Sequence, residues 1–312
     1  MNNYEIVIET AGDLNTELRD KFHIYHDDIK CVVYLGEDKE ILADNDFKSY
    51  SEAEFFKIVK KYAGKARTAF ATYEEFSKVV EPILKAGKDA IIVTISTGVS
   101  GTYGGFKSHA EILLDDYPGR KIEIVDSLKY ASAVGLLAIY AAKNRDEKGM
   151  SFEENVKWLN ENKLCLHEIG PMDDLRFLAK NGRIAAPKAF FGQLAGVQPV
   201  ADFTFDGKSM PLGTIKGDKA VNEFCLKYLL ENAKDIENQV IIINHSQREA
   251  RAELFKEQLL KVAKPKDVII THVGMSCGPN VGPGLCAYFF MGDKITENRE
   301  KENASFKKLS GK

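Results

Sequence analysis

Short, almost purely apolar runs that alternate with longer amphipathic segments constrain this chain most. Residues 90–95, Ala-Ile-Ile-Val-Thr-Ile, are the clearest of these runs, and Tyr4–Glu9, Cys31–Leu35 and Ile122–Val125 resemble them. A strand that is apolar on both sides suits a parallel sheet with helices covering both of its faces. The first half of the chain therefore predicts an α/β domain with a parallel sheet in an α/β/α arrangement.

After about residue 163 the pattern changes, because strand-like runs become more frequent than helical ones. Two of these runs are joined through Asp206-Gly207 with no helix between them, which is typical of a β-hairpin. We therefore predict two domains: residues 1–163 with the parallel sheet, and residues 164–312 with a mixed α/β sheet. A ligand cleft is expected between them.

Charge and composition exclude several classes of protein. The net charge is −3 with both signs interspersed, which gives no basic face for nucleic acid. No apolar run reaches the roughly 18–20 residues that span a bilayer, and the first residues lack the pattern of a signal peptide. We therefore expect a cytoplasmic protein without stable membrane insertion. The five cysteines are widely spaced, so we expect buried thiols rather than disulfides or a zinc site.

Hydroxyl-bearing residues follow three of the predicted parallel strands. Thr10 follows the first, Ser96 and Thr97 follow the third, and Ser127 follows the fourth. The carboxyl ends of parallel strands are where such sheets bind ligands. Each hydroxyl could instead serve only as a cap of the next helix, and this alternative stays open.

The segment around Ser96 contains glycines and hydroxyls but no catalytic signature. Gly98-Val99-Ser100-Gly101 lacks the second spacer of G-x-S-x-G, and no Lys-Ser/Thr follows as in a phosphate-binding P-loop. Such a cradle suits binding of a carboxylate or phosphate. Arg183 follows the helix-terminating Gly182 and could be either an anion-binding group or a solvated surface charge.

The six histidines show no spacing typical of metal ligands, so no metal site is expected. His245 ends a predicted strand, and Ser246 with Glu249 has the spacing of a capping box that would begin the next helix. His272 ends the following strand, and we expect a core or surface role for both.

Several of these segments, taken in order, resemble the DegV family of bacterial fatty-acid-binding proteins. Ile95-Ser-Thr-Gly-Val-Ser-Gly-Thr-Tyr103 is similar to the family motif I-S-S-x-L-S-G-T-Y. Val125-Asp-Ser127, Asp174–Ile184 and Val281-Gly-Pro-Gly284 resemble the family's V-x-D-S, L-x-x-L-x-x-G-G-R-I and H-x-G-P-G segments. The resemblance covers nearly the whole chain and implies a DegV-like two-domain α/β fold.

The resemblance also implies a function and a set of site residues. A long-chain fatty acid would lie between the domains, with its carboxylate at Thr68, Ser96, Thr97, Arg183 and Asn280. Thr10, Ser127 and Gly282 would line the cleft. No catalytic residue, metal or cofactor other than the bound fatty acid is implied, and an ATP-dependent fatty-acid kinase would be the partner.

The chain departs from the family pattern at a few positions. Asn280 stands where the family has histidine, and Ala69, Ala71, Asn181 and Gln198 also differ. Because asparagine does not ionise, we expect carboxylate affinity to be nearly flat between about pH 6 and 8. Two alternatives stay open: the substrate-binding subunit of a dihydroxyacetone-type kinase, and a small-molecule hydrolase that uses Ser96 or Ser100.

Overall fold

The structure, a computed structural model, describes residues 3–36, 39–184 and 196–311. The strands in these ranges are β1 Tyr4–Ile8, β2 Val32–Tyr34, β3 Glu40–Leu42, β4 Arg67–Ala69, β5 Asp89–Thr94, β6 Ile122–Asp126, β7 Leu166–Pro171, β8 Val197–Phe203, β9 Ser209–Lys216, β10 Val240–His245, β11 Asp267–His272 and β12 Cys286–Met291. The helices are α1 Thr16–Lys21, α2 Glu52–Lys61, α3 Tyr73–Lys85, α4 Thr102–Asp115, α5 Ser132–Asp146, α6 Phe152–Asn162, α7 Arg176–Lys180, α8 Asp218–Asn232, α9 Glu249–Val262, α10 Gly278–Val281 and α11 Glu300–Ser310.

A parallel sheet in the order β1-β5-β6 lies in the first half of the chain. Ile6 and Val93 belong to the apolar cluster on one face, and Val7 and Ile92 belong to the cluster on the other face. Because successive side chains of a strand point to opposite faces, a run that is apolar throughout is buried on both sides. The α/β/α arrangement predicted from these runs is confirmed.

The second half builds a six-stranded mixed sheet in the order β11-β10-β12-β7-β8-β9. β10 and β11 are parallel, whereas the other neighbours pair antiparallel. The predicted hairpin is present as β8 and β9, and its turn contains Gly207 with a φ of +75°. That backbone conformation favours glycine because it has no Cβ.

The run Cys31–Leu35 was expected to be a strand of the parallel sheet, and this expectation was wrong. The strand there is β2, and it pairs antiparallel with β3 and β4 in a separate three-stranded sheet. A strand of only three residues forms few hydrogen bonds with its neighbours, so its sequence does not show which sheet it joins. The packing of the surrounding elements decides which strands pair with β2. β4 carries Thr68, which pairs with Val33 of β2.

Helix α5 lies between the parallel sheet and the six-stranded mixed sheet and is buried along most of its length. Its apolar side chains share one cluster with Ile6 and Val93 of the parallel sheet and with Ile242 and Phe289 of the mixed sheet. A helix that is apolar on all sides needs such surroundings. The boundary near residue 163 stays a prediction, because the apolar core is continuous across it.

Candidate functional site

A cavity lies where the loops after β1 and β5 meet β4, α7 and α10. The space inside it that no protein atom fills is about 800 Å³, including the part open to solvent. Its apolar lining residues are Ala11, Ala69, Phe70, Ile95, Val99, Leu178 and Val281. Its polar lining residues are Glu9, Thr68, Ser100, Thr102, Tyr130, Arg183, Ser276 and Asn280.

Thr68, Arg183 and Asn280 are brought together at this cavity, although they are far apart in the chain. Helix α10, which carries Asn280, packs against β4 and against α7. Asn181 donates a side-chain hydrogen bond to the carbonyl of Pro279 at 3.2 Å. This bond holds the segment that leads to Arg183 against the helix that carries Asn280.

Arg183 is exposed and follows Gly182, whose φ is +68°. The backbone N–H of Arg183 donates to the carbonyl of Leu178 at 2.8 Å, which closes the end of α7. The glycine thus ends the helix, and the arginine lies at the cavity rim.

Ser96 and Thr97 are not among the residues that line the cavity. Ser96 is fully buried, and its hydroxyl accepts a hydrogen bond from the backbone N–H of Gly98 at 2.9 Å. The Thr97 hydroxyl donates to Asp126 at 2.6 Å, which joins the ends of β5 and β6. The Ser96 hydroxyl therefore bonds within its own loop, and the Thr97 hydroxyl ties that loop to β6.

The three residues expected to line the cleft also make contacts of their own. The Thr10 hydroxyl accepts from the backbone N–H of Cys31 at 3.2 Å, and the Ser127 hydroxyl donates to the carbonyl of Lys129 at 3.1 Å. Gly282 has a φ of +71°, and the Phe177 ring lies where its side chain would begin. None of the three lines the cavity.

Several lining residues were not predicted from the sequence, and Glu9 is the most consequential of them. Glu9 is buried, and burial raises the pKa of its carboxyl to about 7 against the opposing effect of a hydrogen bond from Ile95. A carboxylate at the carboxyl end of a largely apolar strand was the available signal. Phe70 and Ser276 gave no comparable signal of their own.

The thiols near the cavity are buried as expected. Cys31 and Cys277 both line it, and burial raises the pKa of the Cys31 thiol to about 11. Cys31 Sγ lies 3.2 Å from the Ser276 hydroxyl. All five cysteines are free, and these two are protonated at neutral pH.

Comparison with known proteins decides the family. A family model described as "Uncharacterised protein, DegV family" matches residues 3–293. The chain belongs to the DegV family. This DegV chain is 28% identical over 297 residues to a DegV domain-containing protein of Streptococcus pyogenes, covering 93% of this chain and 98% of the relative.

Solved DegV structures share the fold. A DegV family protein of Thermus thermophilus, described by its fatty-acid binding, has a TM-score of 0.80 at 22% identity, with 93% of this chain and 100% of that chain covered. A DegV family protein of Eubacterium eligens loaded with heptadecanoic acid has a TM-score of 0.78 at 20% identity, again with 93% and 100% covered. The predicted fold class and family resemblance are confirmed. No helix in the described ranges of this DegV chain combines the length and apolar character needed to span a bilayer.

Proposed function

We propose that this DegV protein is a cytoplasmic carrier that binds a long-chain fatty acid in the cavity and holds its carboxylate near Thr68, Arg183 and Asn280. The observation that supports it best is the composition of the cavity wall. Apolar and polar side chains line it in similar numbers, and Thr68 of β4, Arg183 after α7 and Asn280 of α10 reach it from three separate segments. The fatty acids in related DegV structures support the same ligand class.

The energetics suit a carrier. About 15 methylene groups at about 0.8 kcal/mol each amount to roughly 12 kcal/mol of gross burial energy, before the ordering costs of binding. Burial of the carboxylate, unlike burial of the methylene groups, is unfavourable when no partner in the protein interior pairs with it. An exposed Arg183 beside neutral donors would pair with it while keeping it accessible.

The arrangement does not favour the two alternative functions. The Ser100 hydroxyl lies 2.9 Å from the hydroxyl of Thr102, so the side chain with which it hydrogen-bonds is not a base. The described residues that line the cavity include no histidine, which both a hydrolytic serine and a site for a small ketone would use. We therefore propose binding without catalysis by this chain, and no cofactor beyond the fatty acid.

A fatty-acid kinase is the partner we propose. Lys65, Arg67, Lys180 and Arg183 face one shallow hollow on the surface beside the cavity. A concentration of positive charge there would attract the anionic phosphates of a kinase–ATP complex toward the exposed carboxylate.

Native mass spectrometry of the protein as purified tests the ligand class, and a co-purified long-chain acid is expected. Displacement titrations on delipidated protein should then show palmitate binding far more tightly than butyrate. Equal competition by the two acids would contradict the proposal.

Two variants test the placement of the carboxylate. Arg183→Ala should weaken palmitate binding roughly ten- to hundredfold, since a charge-assisted hydrogen bond contributes about 1.5–3 kcal/mol. Arg176→Ala is the matched control, because Arg176 lies nearby in α7 but pairs with Asp174 outside the cavity. Equal affinities of the two variants would contradict the role of Arg183.

A further inference from the structure

Two histidines lie side by side at the carboxyl ends of neighbouring strands, away from the cavity. His245 ends β10 and His272 ends β11, and the two are register partners in this parallel pair. Their ring centroids are 4.5 Å apart with an interplanar angle of 66°. Because partners in a parallel pair point to the same face, both imidazoles lie at one place on the sheet edge.

A carboxylate from another element completes this group. Glu52, in the first turn of α2, places its Oε2 atom 2.9 Å from Nδ1 of His272. Its Oε1 atom accepts a hydrogen bond from the backbone N–H of Gln247 at 2.8 Å, which orients the carboxylate. One ligand atom from each of Glu52, His245 and His272 lies within 4.8 Å of the other two.

His245 shows that this group is incomplete as a hydrogen-bond network. The residue is fully buried, yet its Nε2 atom has no hydrogen-bond partner among the described residues. Its Nδ1 atom accepts only a long contact of 3.3 Å from the backbone N–H of Arg248. A buried polar atom without a partner costs roughly 1–3 kcal/mol, so such an atom calls for a ligand.

We propose that Glu52, His245 and His272 form a binding site for a divalent first-row transition-metal cation, with Zn²⁺ as the best-matched ion. Two imidazoles and one carboxylate are a known zinc ligand set, which leaves a fourth position for water. Mg²⁺ and Ca²⁺ prefer sites made of oxygen atoms, so the two nitrogens select against them.

The geometry needs only a small closure. Ligand atoms arranged tetrahedrally at about 2.0–2.2 Å from one Zn²⁺ lie roughly 3.3–3.6 Å apart, so the group would contract by at most about 1.5 Å. The His272 side chain is 41% exposed and has room for this movement. Binding through Nε2 of His245 places the ring proton on Nδ1 and gives up the long contact with Arg248.

The site is separate from the proposed fatty-acid cavity, since none of its three residues lines that cavity. The ion would instead join the first turn of α2 to the ends of β10 and β11. Zinc binding and fatty-acid binding can therefore fail independently in experiments.

Isothermal titration of metal-stripped full-length protein with Zn²⁺ tests the proposal. We expect one ion per chain, and His272→Ala should bind it more than about 100-fold more weakly, because even loss of outer-shell partners costs about 10–100-fold. Glu52→Gln is a second variant that keeps an acceptor for Gln247. His26→Ala is the matched control, because His26 pairs with Asp20 at 2.7 Å outside any three-ligand group of the described residues.

Titration with Co²⁺ identifies the ligand atoms. The site predicts visible bands of a four- or five-coordinate Co²⁺ without a thiolate-to-cobalt charge-transfer band. The proposal is overturned if the wild-type protein binds no stoichiometric Zn²⁺, if His272→Ala and Glu52→Gln both bind as tightly as the control, or if a thiolate band shows that cysteines hold the ion.

Discussion

Oε1 of Glu9 accepts a hydrogen bond of 2.8 Å from the backbone N–H of Ile95, and both residues line the cavity. Burial raises the pKa of Glu9 to about 7, so the charge of Glu9 changes between about pH 6 and 8. With Asn280 alone, the affinity for the fatty-acid carboxylate would not vary with pH in this range. We now expect palmitate affinity to fall as pH rises from about 6 to 8, because ionised Glu9 repels the carboxylate. Titrations at several pH values should show this slope in the wild type and its loss in Glu9→Gln.

The same residue links stability to pH. The carboxyl pKa is 4.5 without burial and about 7 in the folded protein, so the folded state binds more protons between these values. The free energy of unfolding therefore falls as pH rises through this window. Each unit of difference between the folded and unfolded pKa corresponds to about 1.4 kcal/mol of lost stability. Urea unfolding of the ligand-free protein should show a smaller decrease for Glu9→Gln. Parallel curves for the two proteins would contradict the raised pKa.

Adjacent glycines of α4 provide a matched test of the cavity wall. A Cβ atom at Gly105 would lie 2.4 Å from the Phe70 ring, whereas one at Gly104 would meet nothing within 4 Å. Gly104→Ala should raise the free energy of unfolding by up to about 1 kcal/mol and leave palmitate affinity unchanged. Gly105→Ala should displace Phe70 and weaken binding by roughly three- to tenfold, since lost apolar contact of about 1 kcal/mol has that effect. Equal palmitate affinities of the two variants would show that Phe70 does not contact the bound acid.

Ser96 is predicted to serve the fold more than the ligand. Its hydroxyl accepts a hydrogen bond from the backbone N–H of Gly98. The loop also packs tightly on the β8–β9 turn, since a Cβ atom at Gly207 would lie 2.1 Å from Ser96 Oγ. Ser96→Ala should lower the free energy of unfolding by about 1 kcal/mol and leave palmitate affinity unchanged.

Thr68→Val is the comparison for Ser96, since Thr68 lines the cavity and valine keeps its shape. It should weaken palmitate binding with little effect on unfolding. If Ser96→Ala reduces affinity as much as Thr68→Val, the Ser96 hydroxyl contacts the ligand after all.

Lys129 is a buried amine whose removal should stabilise the protein. Its Nζ atom lies 4.4 Å from the centre of the Phe203 ring and has no hydrogen-bond partner among the described residues. Burial lowers the pKa of this amine to about 7, despite the attraction of Asp202 and Glu168. Lys129→Met should raise the free energy of unfolding by roughly 1–4 kcal/mol at pH 6.

The pH dependence of this effect follows from proton binding. Between about pH 7 and 10.5 the unfolded chain binds more protons at Lys129 than the folded protein does, so wild-type stability rises with pH there. The advantage of Lys129→Met should shrink across this window. Lys78→Met, at an exposed position of α3, is the control and should show no such trend.

Local sequence patterns determined the secondary structure and much of the fold class. The apolar run 90–95 predicted a buried parallel strand, and Asp206-Gly207 predicted the hairpin, because periodicity and turn chemistry depend on neighbouring residues. Capping boxes at Ser51 and Ser151 begin α2 and α6, and they also depend only on residues three positions apart. At Ser246 the prediction was wrong, since its hydroxyl donates to the carbonyl of Gly282 at 2.8 Å and α9 begins later.

Only the tertiary structure decided which side chains meet. Glu9, Phe70 and Ser276 converge on the cavity from segments that are far apart in the chain, and no local pattern encodes that convergence. His245 and His272 have no metal-like spacing in sequence, yet the parallel register of β10 and β11 places their rings 4.5 Å apart. Strand order and register depend on how whole elements pack, so contacts between distant residues follow from the fold and not from spacing along the chain.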